Sequence, residues 1–256
     1  MCKRWLLAVV ALGAAGALAE SARADDAACL ACHGESGPGP RVDEAAYRGS
    51  VHGRRGCASC HRAFEEVPHP ARAVASIARP RIAALCASCH AGAKTPHALR
   101  PAGRLIDTFE LSVHATAMRA GRTAAATCSD CHGAHGVQRA ADPRSRVFHA
   151  AIPATCGACH ARVYAEYRKS RHGQALNAGI RQAPVCTDCH GEHTIRMARD
   201  PASLVYRGAV TKTCAVCHDS QRLTATFGLP TDRLTTFLDS YHGLASRGGD
   251  LHTANC

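Results

Sequence analysis

Residues 167–195 read YRKSRHGQALNAGIRQAPVCTDCHGEHTI, and three features of this stretch recur along the chain. The first is an aromatic residue followed by x-x-Ser-x-His, here Tyr167, Ser170 and His172. The second is C-x-x-C-H, here Cys186, Cys189 and His190. The third is a further histidine three residues on, His193, in C-H-G-x-H. Cys128 and Cys186 are 58 residues apart, as are Cys156 and Cys214, and the two motifs of each unit lie 28 apart. The linkers match as well: Asp142/Asp200, Pro143/Pro201, Ser145/Ser203, Val147/Val205 and Thr155/Thr213 coincide. A fixed period of this kind marks a tandem architecture.

Of the 16 cysteines in 256 residues, 14 fall into seven C-x-x-C-H motifs. They are Cys29–Cys32–His33, Cys57–Cys60–His61, Cys86–Cys89–His90, Cys128–Cys131–His132, Cys156–Cys159–His160, Cys186–Cys189–His190 and Cys214–Cys217–His218. The pattern is the attachment signature of c-type haem: two thioethers from the cysteines and an axial nitrogen from the histidine. A structural zinc site, a disulfide framework or a redox dithiol gives no reason for a histidine after every second cysteine. Seven haems c are therefore expected on this chain, with no catalytic residue singled out.

Histidines outside these motifs are the candidate distal ligands. The aromatic-x-x-Ser-x-His motif supplies His52, His114, His172 and His242, and C-H-G-x-H supplies His135 and His193. Each complete unit thus holds two motif histidines and two spare ones, the stoichiometry of bis-histidine coordination. The first unit is shorter and lacks C-H-G-x-H, with His69 as the candidate replacement. Residues 25–51 contain no histidine except His33. The Cys29 haem is therefore expected to be the odd one, borrowing His97 or, second, His149, or lacking a distal ligand. His252 reads as a surface residue.

His114 and His172 each precede the next motif by 14 residues, and 14 residues after His242 stands Cys256. Ala and Gly follow each of these three histidines at +3 and +7. Cys256 is therefore expected to be the first thioether position of an eighth motif, in a chain that continues.

Residues 1–24 read as a cleaved signal peptide: Lys3 and Arg4, an apolar run Trp5–Ala19, and A-x-A at Ala22–Ala24. Export to the periplasm follows, which suits haem attachment. The formal charge of +11 does not point to nucleic acid. Without residues 1–24, 28 basic and 19 acidic residues remain, and seven ferric haems at about −1 each bring the total to roughly +2. Aromatics make up only 4 % of the chain, too few for an ordinary core, so folding is expected to depend on the cofactor. The expected fold is mostly α with extensive loops, organised by haems in tandem two-haem repeats. Helices are predicted over Arg104–Arg119, Ala158–Ser170 and Asp232–Tyr241. The expected divisions are 25–102 (three haems), 103–160 and 161–230 (two haems each) and 231–256, the start of a further repeat.

With these motifs the chain resembles bacterial periplasmic multihaem cytochromes c over residues 29–256. YRKSRHGQAL and VCTDCHGEHTI look like the repeats of the class III cytochrome-like family and of pentahaem and decahaem respiratory carriers. The resemblance implies low-potential bis-histidine haems that pass single electrons between a quinol-oxidising membrane cytochrome and a terminal reductase. Membrane association would come only through such a partner or a further C-terminal segment. The alternative is an octahaem-type redox enzyme acting on nitrite, hydroxylamine or tetrathionate, which needs one open iron site.

Overall fold

A computed structural model describes residues 26–62, 64, 69, 77–91 and 106–256. The expected signal peptide and His97 lie outside the described residues. Short helices joined by turns and loops make up the described chain, with no strand among these residues. None of its helices is long and apolar enough to cross a membrane.

Four of the haem motifs show two kinds of local structure. Cys128–His132 and Cys186–His190 are five-residue helices. In each, the aspartate between the cysteines folds back on the helix start: Thr127 N–H donates to Asp130 at 2.7 Å and Val185 N–H to Asp188 at 2.6 Å. Gly133 and Gly191 then end the helices at φ 82° and 77°, a left-handed backbone that favours glycine. The other kind closes a longer helix. Cys86–His90 ends Arg79–His90, and Cys214–His218 ends Val210–His218. The matching linkers are built alike. Thr155 and Thr213 hydroxyls donate to the carbonyls of Arg146 and Leu204, each at 2.6 Å. Ser145 and Ser203 are both buried in the turn before them.

The aromatic-x-x-Ser-x-His motif does not ride on one continuous helix, as the sequence predicts for Arg104–Arg119 and Asp232–Tyr241. The serine breaks it. Ser112, Ser170 and Ser240 have extended backbones and cap new helices, Val113–Arg119, Arg171–Asn177 and Tyr241–Arg247. Their hydroxyl oxygens accept from the N–H groups of Ala115, Gly173 and Gly243 at 3.1–3.2 Å. Serine side chains satisfy the otherwise orphaned first-turn donors, so a stretch with good helical propensity is divided in two. The recurrent Ala and Gly close these helices. The carbonyls of Ala117, Ala175 and Ala245 accept from Arg122, Ile180 and Asp250, with Gly121, Gly179 and Gly249 at positive φ.

A peptide core is nearly absent. Among the described residues the buried hydrophobic ones are Tyr47, Ala115, Ala183 and Val185. Large apolar side chains stay on the surface instead: Val163, Val216 and Tyr241 are 64 %, 76 % and 78 % exposed. Such a surface suits a fold whose apolar complement is a set of macrocycles rather than other side chains.

Candidate haem-ligand pairs

Six of the seven motif histidines face a second imidazole. The pairs, with ring-centroid separations, are His33–His69 (5.9 Å), His90–His52 (5.9 Å), His61–His135 (6.1 Å), His160–His114 (6.3 Å), His132–His193 (6.0 Å) and His218–His172 (6.1 Å). Every pair joins a C-x-x-C-H histidine to a histidine outside these motifs that the sequence offers as a candidate distal ligand. Interplanar angles run from 9° to 68°, so no single stacking geometry explains the set. The constant quantity is the gap. Two imidazoles bound to one metal from opposite sides, with metal–nitrogen bonds of about 2.0 Å, place their ring centres roughly 6 Å apart.

Burial lowers the pKa of His52, His61, His114, His132, His172 and His193, and for all but His193 the facing histidine adds to the effect. These rings are neutral at pH 7 and keep a nitrogen lone pair for a metal. Nδ1 of His33 lies 2.9 Å from the carbonyl oxygen of Pro40, an arrangement that fixes the ring and leaves Nε2 for coordination. The donor chemistry therefore fits haem. No group of three His, Cys, Asp or Glu side chains converges as a protein-only metal site among the described residues.

The pairing follows a rule that chain spacing does not reveal. The second motif of each unit faces the histidine upstream in its own unit: His90 with His52, His160 with His114, His218 with His172. The first motif faces the histidine of the next unit: His61 with His135, His132 with His193. A backbone hydrogen bond fastens each seam, Val51 N–H to Val137 O at 2.9 Å and Val113 N–H to Ile195 O at 2.8 Å. His33 behaves as a first-motif histidine, because its facing ring, His69, lies past the following motif. For the Cys29 motif the expectation is a ligand borrowed from His97 or His149, or none; His33 faces His69, and His97 lies outside the described residues. His149 Nε2 instead lies 3.4 Å from Asp188 Oδ2. His242 packs against Tyr241 and faces no motif histidine among the described residues.

First cysteines of successive motifs also meet in pairs. The Cys29 and Cys57, Cys86 and Cys128, and Cys156 and Cys186 thiols lie near enough to shift one another's pKa. Cys256 raises the pKa of Cys214 in the same way, after burial. Arg79 secures the second of these junctions. Its guanidinium reaches Asp130 Oδ1 and Oδ2 at 3.1 and 2.8 Å, Thr123 O at 2.7 Å and Ala125 O at 2.9 Å.

Residues 143–219 match the family described as Cytochrome c7 and related cytochrome c. No curated protein and no solved structure matches the chain. The matched region holds Cys156, Cys186 and Cys214 with their motifs. The match supports a multihaem c-type cytochrome with covalently bound haem, active in electron transfer.

Proposed function

We propose that the chain carries seven haems c and conducts single electrons along them in the periplasm, as a respiratory carrier. Haem supplies one-electron chemistry when bound, and two nitrogen ligands keep its potential low where methionine would raise it. The observation that carries this reading is the set of six imidazole pairs at nearly one separation. In this reading His33, His61, His90, His132, His160 and His218 are proximal ligands with a distal partner each. His52, His69, His114, His135, His172 and His193 are those partners. His190 is a proximal ligand as well. The paired cysteines bring attachment points of neighbouring haems together, which suits passage from one haem to the next. Cys256 takes the thioether position of a further motif, beside Cys214. The redox partners are proteins: a quinol-oxidising membrane cytochrome on one side and a terminal reductase on the other.

Mass spectrometry of the chain matured in a periplasm able to attach haem c tests this. The expected mass corresponds to residues 25–256 with seven haems. A mass of apoprotein with disulfides, or of a zinc-loaded chain, would overturn it.

A further inference from the structure

One position is basic in all three units. Arg79, His149 and Arg207 each stand seven residues before the first cysteine of a second motif, Cys86, Cys156 and Cys214. Each reaches across to the stretch around the cysteine that comes next after that motif. Arg79 Nη2 donates to Ala125 O at 2.9 Å, and Arg207 Nη2 donates to Thr253 O at the same 2.9 Å. Ala125 and Thr253 correspond, each lying three residues before a cysteine, Cys128 and Cys256. Arg79 also holds both oxygens of Asp130, between Cys128 and Cys131, at 3.1 and 2.8 Å. His149 Nε2 lies 3.4 Å from Oδ2 of Asp188, which has the same place between Cys186 and Cys189. The rest of that joint is built differently: the Arg181 guanidinium sits over the Phe148 ring, 6.0 Å from its centroid. Three corresponding side chains thus bridge corresponding joints, and the middle one is a histidine that faces a carboxylate rather than a motif histidine.

We infer that this position is a positioning residue for electron passage: it fixes the attachment motif of one haem against that of the next, and His149 fills it between the Cys156 and Cys186 haems without binding iron. The step it serves moves one electron from a reduced haem to its oxidised neighbour, with no bond made or broken. The residue acts on that step in two ways. It holds the two attachment points at one separation, and it offsets the charge of the aspartate beside the first-motif haem. A carboxylate at that place favours the ferric form, and a cation paired with it favours the ferrous form. A guanidinium carries a permanent charge and an imidazole does not, so Asp130 is the more fully offset of the two aspartates. This inference rests on haem being attached at these cysteines.

His149→Arg and His149→Ala, made in the full chain and matured with haem, test it. Both should keep the parent's haem count by mass, its low-spin spectrum and its carbon monoxide uptake, because no iron loses a ligand. His149→Arg should raise the potential of one haem, the one that disappears in a Cys186→Ala/Cys189→Ala background, and Asp188→Asn should abolish the effect of the arginine. Electron exchange after flash reduction should slow several-fold in His149→Ala and recover in His149→Arg. Arg79→Gln is an independent check at the corresponding joint and should lower the potential of the Cys128 haem. A new high-spin haem or an added equivalent of carbon monoxide in either His149 variant would make His149 a ligand and overturn the inference. Potentials and exchange rates unchanged in the His149 variants and in Arg79→Gln, at full haem content, would overturn it as well. An unaltered chain without haem at these motifs would overturn both the inference and the attachment reading beneath it.

Discussion

Replacing His135 by alanine separates ligation across units from ligation within them. His135 follows the Cys128 motif by three residues, yet its ring lies 6.1 Å from that of His61 and not against His132. His135→Ala should therefore open the haem on Cys57 and Cys60, one unit upstream. The number of low-spin haems should fall by one by electron paramagnetic resonance, and carbon monoxide bound should rise by one equivalent. The stability effect follows from the loop that ligation closes. His61 to His135 spans 75 residues, for which chain entropy gives on the order of 4 kcal/mol. Part of the seam survives the substitution: Val51 N–H to Val137 O, and Gln138 Nε2 to Gly49 O at 3.1 Å. The expected loss is then about 2–4 kcal/mol, read from guanidinium unfolding followed in the Soret band. The location is checked with a second background. In a chain already lacking the Cys57 haem through Cys57→Ala/Cys60→Ala, His135→Ala should change no further haem. A further low-spin loss in that background, or a loss traced to the Cys128 haem, would refute the seam rule.

Two more perturbations test the junctions between haem motifs. Arg79→Lys keeps the charge but not the planar fork that spans Asp130, Thr123 O and Ala125 O. It should cost about 1–2 kcal/mol after discounting for the exposure of the pair, and a denaturation midpoint equal to that of the parent chain would count against the clamp. Asp26 is held below its ordinary 3.8, first by the Cys57 N–H and also by the Tyr47 hydroxyl. Its contribution is therefore fully present above that value and lost as pH falls through the lower folded value. Asp26→Asn should weaken the chain at pH 7 and converge with the parent in acid, and a stability difference independent of pH would contradict this.

Much of this arrangement is legible from residues 167–195 because the chemistry is local. Two thiols and a histidine must sit within five residues to grip one macrocycle, so C-x-x-C-H announces itself in any context. Helices with loops follow from the same spacing. Two things escape such a reading. The first is Ser112 in the middle of a helix-favouring run. Propensity summed over Arg104–Arg119 says helix, but one hydroxyl oxygen accepting from Ala115 N–H makes the serine a boundary. The second is partner choice. Spacing shows that His135 and His193 are spare, yet a side chain three residues past one motif has access to two units. Which one it faces is decided by the seam bonds of Val51 and Val113, between residues more than 80 apart in sequence. The same blindness hides the partner of His69. His69 departs from C-H-G-x-H in spacing, eight residues after His61 instead of three, and only the folded chain shows it against His33.

The seam rule has a consequence for an architecture of this kind. In a linear array, stability is the sum of units and of the interfaces between neighbours. In the proposed ligation each interface is also a coordination bond, since a first-motif haem would take its distal histidine from the neighbouring unit, as His61 faces His135 and His132 faces His193. The second-motif sites, closed from within by His52, His114 and His172, do not depend on any neighbour. A substitution at a second-motif partner such as His172 should open the Cys214 haem alone, without loosening the seam at Val113, whereas one at a first-motif partner disturbs both a haem and a joint.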